Sequence, residues 1–415
     1  MAFFTYCKRF SGLLGITFMS ILACEPIETS QNVLSEDQEH VSTQRAVPIP
    51  DQYIVVFHEN RLSFRKTEDY ALDQEAMRKE VSAFFRKHQL AEENILRVYS
   101  LSLSAFVAKI DSDKIQSLRL DPKVKFIEQD RKGLLGRPED RPPFQEEVAE
   151  TPSTQVVPWG IKRVGGPVHY SGYNSVFVVD TGIDLDHPDL NVNTQKGFDA
   201  YHEKKRDWNM DDEHGHGTHV AGIIGALDNS FGVVGVAAGV PVVPVKVFFG
   251  PWAEYTYSGL IAGIEHIGVR GIPGDVANLS FGDFDDSRAL DEAVLRVSEK
   301  RRIYMAIASG NSRLPADSFS PARVNGPYTI TVSAIDSRNR LAWFSHYGPP
   351  IKYAAPGVSV LSTWKDNRYR TETGTSMAAP HVAGLRVLGD IAVGGYALNY
   401  PAPYAPDPIA VRQED

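Results

Sequence analysis

Val176-Phe177-Val178-Val179-Asp180-Thr181-Gly182 is the stretch that decides the fold. Four consecutive large apolar side chains without polar alternation suit a strand buried on both faces, as in a parallel sheet covered by helices. The run ends in a carboxylate, and α/β proteins place their sites beyond the carboxyl ends of such strands. Asp180 is therefore read as a candidate site residue, although an isolated Asp-x-Gly is also a common turn or helix cap.

Toward the C-terminus, three further motifs answer this one. His214-Gly215-His216-Gly217-Thr218-His219-Val220-Ala221-Gly222 opens a small-residue helix. His216 is a base suited to neutral pH, while His216 and His219 on one helical face leave a zinc reading open. Ile303-Tyr304-Met305-Ala306-Ile307-Ala308 is a second buried strand and runs into Ser309-Gly310-Asn311, whose amide can donate to an oxyanion. Gly374-Thr375-Ser376-Met377-Ala378-Ala379-Pro380-His381-Val382-Ala383-Gly384 places Ser376 at a helix start, where unpaired N–H groups favour an oxygen that becomes negative.

Toward the N-terminus the composition changes. Residues 133–153 read as a proline- and acid-rich linker (Arg137-Pro138-Glu139-Asp140-Arg141-Pro142-Pro143), exposed and open to proteolysis. Before it, residues 50–132 carry Tyr53–Phe57, a helix through Phe84-Phe85, Ile95–Tyr99, Ala105–Ile110, a helix near Asp113–Leu120, and Val124–Glu128. That order, β-α-β-β-α-β, is the ferredoxin-like pattern. Residues 24–49 are polar and serine-rich, a flexible linker. Lys8 and Arg9 followed by the apolar run Leu13–Ala23 predict an export signal over residues 1–23. Ile21-Leu22-Ala23-Cys24 is similar to a lipobox, which would lipidate Cys24; a plain signal peptide is the alternative.

The chain has 415 residues, 42% hydrophobic and 23% charged, enough for a large core and more than one domain. Its net charge of −9 is spread out, with no basic stripe interleaved with aromatics, which argues against a nucleic-acid partner. The two cysteines, Cys7 and Cys24, both lie near the start and cannot staple the later domains. A monomer is expected, touching a membrane only through a lipid on Cys24.

Asp-Thr-Gly, His-Gly-Thr-His, Ser-Gly-Asn and Gly-Thr-Ser-Met-Ala, in that order from Gln155 to Leu388, resemble the subtilisin family of serine proteases. The resemblance implies a doubly wound, mostly parallel α/β domain over residues 154–415. It also makes the preceding α+β domain an inhibitory propeptide. It assigns Asp180, His216 and Ser376 as the triad and Asn311 to the oxyanion hole, with extended or unfolded polypeptides as substrates. Ser280, Phe281 and Gly282, in Asn278-Leu279-Ser280-Phe281-Gly282, match the edge that pairs with a substrate strand. The facing segment is glycine-rich in the family. Here it reads Trp252-Ala253-Glu254-Tyr255-Thr256-Tyr257-Ser258, which predicts a narrower cleft preferring small or basic residues. Ser312 beside Asn311 brings no charge to the pocket, which leans toward apolar substrates.

Leu227-Asp228-Asn229-Ser230-Phe231-Gly232-Val233 resembles the family's calcium loop, implying a structural calcium held by Gln155, Asp189, Leu227, Asn229, Phe231 and Val233. Because Gln155 must reach this loop, self-cleavage is expected near Ser153–Thr154. A lipidated Cys24 would lie on the propeptide side of that cut, giving a membrane-held zymogen and a released extracellular or envelope enzyme. The chain departs from the family after His381: the helix carries Arg386 and Asp390, and a short proline-rich tail from Gly394 stands where a helix is expected. A poorly stabilised C-terminal end would favour the other reading, a catalytically impaired, protease-like binding lipoprotein.

Overall fold

The computed structural model describes residues 46–67, 69–135, 148–149, 152–202, 205–282 and 285–413. The signal, the lipobox with Cys24, most of the first linker and residues 136–147 lie outside them.

The first sheet grows from the β-rich runs read above. In chain order the elements are β1 (Val47–Phe57), α1 (Tyr70–Lys87), β2 (Ile95–Tyr99), β3 (Ala105–Lys109), α2 (Ile115–Arg119) and β4 (Val124–Leu134). The sheet order β4-β1-β3-β2 is the ferredoxin-like arrangement the sequence predicts. Phe57, Phe84, Phe85 and Phe106 interlock under one face, against α1 and α2.

The elements that follow are β5 (Val148–Ala149), α3 (Trp159–Arg163), β6 (Val168–His169), β7 (Val176–Asp180), β8 (Phe198–Asp199), α4 (His216–Gly225), β9 (Ala237–Ala238), β10 (Val242–Lys246) and β11 (Glu254–Thr256). Then come α5 (Tyr257–Arg270), β12 (Val276–Leu279), α6 (Arg288–Arg301), β13 (Tyr304–Ala308), β14 (Thr329–Ile335), β15 (Ile351–Pro356), β16 (Val360–Trp364) and β17 (Arg368–Glu372). The last are α7 (Thr375–Leu388), β18 (Ile391–Tyr396) and β19 (Pro408–Arg412). The large sheet runs β18-β19-β15-β14-β13-β12-β7-β10-β8, parallel except for β18.

The strand Val176–Asp180 is buried throughout. Phe177 and Val179 join the core under α5 and α6, and Val176 and Val178 the core under α4 and α7. From β7 the chain winds outward through β10 and then returns to β12 on the other side, so the strand order reverses beside β7. The carboxyl ends of β7 and β12 therefore border the crevice where doubly wound sheets bind ligands.

The described residues fall in one compact unit, and the ferredoxin-like sheet packs on α5 and α6. Three carboxylates pin it there. Asp130 accepts from the Ser258 N–H at the start of α5 (3.1 Å), and Glu128 from the Ala289 N–H at the start of α6 (3.0 Å). Glu265 on α5 answers by accepting from the N–H groups of Ser100, Leu101 and Ser102. Negative groups at helix N-termini satisfy orphan donors and the dipole together. The α/β part also lends a strand: β11 pairs antiparallel with the end of β4, Tyr255 opposite Gly133.

The expected weakness at the C-terminal end is corrected. Residues after Gly389 form β18 and β19, and β19 adds to β15 with Ile409 and Ala410 fully buried. Asp407 accepts from Ser333 Oγ (2.6 Å) and Tyr400 Oη (2.8 Å). Proline blocks helix but suits the turns between edge strands, so the tail closes the sheet without a helix. Arg386 and Asp390 do pair (3.0 Å), with Asp390 exposed and the Arg386 guanidinium over the Tyr304 ring.

Candidate active site

Three elements converge on the crevice. Asp180 ends β7, His216 opens α4 and Ser376 is the second residue of α7. His216 Nδ1 and Asp180 Oδ1 are 2.7 Å apart, with Asp180 fully buried and the ring 15% exposed. Burial alone would lower the imidazole pKa, but the charge and hydrogen bond of Asp180 outweigh it and raise it.

The start of α4 is fixed by Asp212, which the sequence reading missed. Its Oδ1 accepts from the His214 and Gly215 N–H groups (3.0 and 2.8 Å), and its Oδ2 from the Thr218 N–H (2.9 Å) and Oγ1 (2.6 Å). Thr181 Oγ1 donates to the same carboxylate, tying the β7 loop to α4 and so Asp180 to His216. The detectable signal was an aspartate a few residues ahead of a helix start, a capping pattern.

Ser376 and Ser280 are clamped to one another. Ser376 Oγ donates to the Ser280 carbonyl (2.9 Å), and Ser280 Oγ to the Ser376 carbonyl (2.7 Å). The hydroxyl proton is thus directed at Ser280 and not at the His216 ring, and the hydroxyl must turn from Ser280 to serve the ring. Asn278 Nδ2 holds Ser280 Oγ in turn (2.8 Å). Asn311 Oδ1 accepts from the Thr375 N–H (2.9 Å) and Oγ1 (3.0 Å), which fixes the amide so that Nδ2 is its other, donor end beside the α7 start.

Not every predicted residue plays the part foreseen. His219 does not share a metal position with His216: its Nε2 lies 3.0 Å from both the Val360 and Arg370 carbonyls, and burial lowers its pKa to about 3. Among the described residues, no group of three or more His, Cys, Asp or Glu could hold a metal. Of Ser280, Phe281 and Gly282, Ser280 is the one bonded to Ser376, while Phe281 is buried and turned inward against Phe248. The described strand pairing is on β11, within the facing segment read as narrowing the cleft.

The calcium-loop residues do gather. Asp189, fully buried, accepts at Oδ1 from Asn229 Nδ2 (2.7 Å) and at Oδ2 from the Val233 N–H (2.9 Å) and Tyr369 Oη (3.2 Å). Gln155 Nε2 donates to the Leu227 carbonyl (3.0 Å), and the Phe231 N–H to Asn229 Oδ1 (2.9 Å). Gly232 adopts a left-handed φ of 64° with its Cα so close to Asp189 Oδ2 that a side chain would collide with it. Burial pushes the Asp189 carboxyl pKa up.

Comparison with known proteins agrees with this geometry. Residues 174–388 match the subtilase family and residues 52–133 the peptidase inhibitor I9 family. The chain is 34% identical over 343 residues to an alkaline protease of Alkalihalobacillus alcalophilus, covering 81% of this chain and 80% of that one. It is 42% identical over 239 residues to subtilisin Savinase of Lederbergia lenta, covering 56% and 84%. A crystal structure of a cold-adapted subtilisin-like serine proteinase superposes with a TM-score of 0.51 at 30% identity, covering 62% of this chain and 98% of that one. The chain belongs to the subtilase family of serine endopeptidases, and an I9 inhibitor domain precedes its catalytic domain.

Proposed function

We propose that this chain is an exported, self-processing endopeptidase that cleaves extended polypeptides through an acyl-enzyme on Ser376. The observation that carries the assignment is the 2.7 Å contact between His216 Nδ1 and Asp180 Oδ1, which leaves Nε2 as the nitrogen to take a proton. Ser376 Oγ, turned from Ser280 to the ring, attacks the substrate carbonyl and gives its proton to His216 Nε2. The oxyanion is met by Asn311 Nδ2 and the Ser376 N–H. His216 then protonates the leaving amine, and water repeats the sequence to release the acid. Asp180 keeps the useful tautomer and stabilises the charged ring. A fluorophosphonate probe should label wild type and not Ser376→Ala; equal labelling of both removes the assignment.

The oxygen-rich cradle of Asp189, Asn229, Gln155 and the carbonyls of Leu227, Phe231 and Val233 fits a structural calcium, which is hard and takes six to eight oxygens. A left-handed glycine that keeps the loop tight around a buried carboxylate supports that reading. The ion would tie the mature N-terminus to the loop and take no part in the chemistry. Chelation should lower the melting temperature of wild type and leave Asp189→Ala unchanged.

Processing frees the new N-terminus upstream of Gln155, whose N–H is held by the Ser230 carbonyl (3.1 Å). The pairing of Val148–Ala149 with β17, and of the Pro152 carbonyl with the Gly232 N–H (3.0 Å), favours a start before Val148 over one at Ser153–Thr154. N-terminal sequencing of the mature form decides between them. No helix among the described residues is long and apolar enough to cross a membrane. A membrane-held zymogen through Cys24 is tested by finding the uncleaved chain, and not the mature domain, in the membrane fraction.

A further inference from the structure

The end of β4 is seated on β11 in a way that restricts what else can sit there. Lys132, Gly133 and Leu134 pair antiparallel with Thr256, Tyr255 and Glu254, and the Leu135 N–H continues the ladder to the Ala253 carbonyl (3.0 Å). Directly opposed residues of an antiparallel pair share a face, so Gly133 and Tyr255 meet side on, while Lys132 and Leu134 point the other way. A Cβ on Gly133 would stand 2.6 Å from Tyr255 Oη, 2.8 Å from Cζ and 3.0 Å from Cε1. Gly133 lies in ordinary extended backbone, so its own conformation does not ask for glycine. The reason is space alone.

The ring cannot easily step aside. Tyr255 is 2% exposed, with Phe248 edge-on at 5.5 Å and Tyr257 parallel at 6.2 Å. Phe248 also packs on Phe281, whose neighbour Ser280 is clamped to Ser376, so this wall belongs to the crevice of the nucleophile. The I9 match runs to residue 133 and β4 to Leu134, so the cut proposed above, which frees this domain, falls beyond them. Residues seated on β11 therefore lie on the acyl side of the scissile bond.

We propose that Tyr255 is a specificity-determining residue that admits an extended substrate strand on β11 only with glycine facing its ring. The substrate class is then polypeptide segments with glycine at one fixed position before the cut and free choice at the two flanking positions. The proposal rests on the protease reading of Ser376.

The test is a peptide profile. Long quenched-fluorescent peptides carry glycine, alanine or leucine in turn at each position before the cut, and kcat/KM is read on the processed enzyme. Wild type should favour glycine over alanine by about tenfold or more at one position only. Tyr255→Ala should reduce that preference to about twofold or less while leaving the other positions unchanged. A flat wild-type profile, or a glycine preference that survives in Tyr255→Ala, overturns the proposal. The full-length Ser376→Ala chain tests the contact without turnover. Gly→Ala in extended backbone ordinarily stabilises, so a melting temperature lowered by Gly133→Ala and restored by adding Tyr255→Ala supports the exclusion. An unchanged or raised value for Gly133→Ala overturns it. Failure of wild type to cut any peptide or take a fluorophosphonate label instead removes the protease reading, and the melting cycle still decides the contact.

Discussion

Replacing Asp130 with alanine should weaken the hold of the I9 domain on the processed enzyme by about a hundredfold. Asp130 is fully buried and accepts from Ser258 N–H (3.1 Å) and Oγ (2.5 Å) on α5, and from Gln52 Nε2 (2.7 Å) and Arg131 N–H (2.9 Å) within its own domain. Only the Ser258 bonds cross the interface. Each hydrogen bond to a charged acceptor contributes about 1.5–3 kcal/mol net, so the pair supplies roughly 3–6 kcal/mol. Proximity to the α5 N-terminus adds up to about 2 kcal/mol, because Thr256 Oγ1 caps Gly259 and leaves the Ser258 N–H for Asp130. Desolvation of the carboxylate, which also pushes its pKa up, takes back several kcal/mol. About 3 kcal/mol remains, or two decades of affinity at about 1.4 kcal/mol each. The assay is inhibition of peptide cleavage by the I9 domain that processing releases, titrated onto processed enzyme. Asp130→Asn, which keeps one acceptor oxygen, should fall between. An alanine variant inhibiting within about threefold of wild type would refute the reasoning, since no electrostatic contribution of the stated size could then be present.

Asn311→Ala should lower kcat about a hundred- to thousandfold, the loss known for an oxyanion-hole asparagine in subtilisin itself, with KM little changed; steady-state kinetics on one peptide checks it. Because Asp180 raises the His216 pKa, the acid limb of kcat/KM should lie above the ordinary imidazole value of 6.5, and Asp180→Asn should move it down. The same raised pKa stabilises the fold fully below pH 6.5, a contribution lost as pH climbs past the folded-state value, so Asp180→Asn should remove that component from a pH–Tm series. Burial raises Asp407 from its ordinary 3.8 to about 6. The fold thereby favours the neutral acid, and up to about 3 kcal/mol of stability present below pH 3.8 is lost as pH rises through 6. Asp407→Asn should therefore gain melting temperature relative to wild type at pH 8 and gain little at pH 4.

Several features were legible in the sequence because they depend on local residue order. The apolar run Val176–Val179 suited a strand buried on both faces, and His216 and Ser376 each announced a helix start built of small residues. The β-α-β-β-α-β succession fixed the order of elements in the first domain, since each element carries its own period. What the sequence could not decide were contacts between residues far apart in the chain. Asp212 went unread, because its part depends on the fold bringing Thr181 and Thr218 to its two oxygens. The proline-rich tail read as damage because edge strands draw their stability from partners, here β15, that no local pattern reveals. Tyr255 read as narrowing the cleft; opposite Gly133 it forms the wall on which a strand adds, because register across a sheet is set by which strands meet and not by either strand alone.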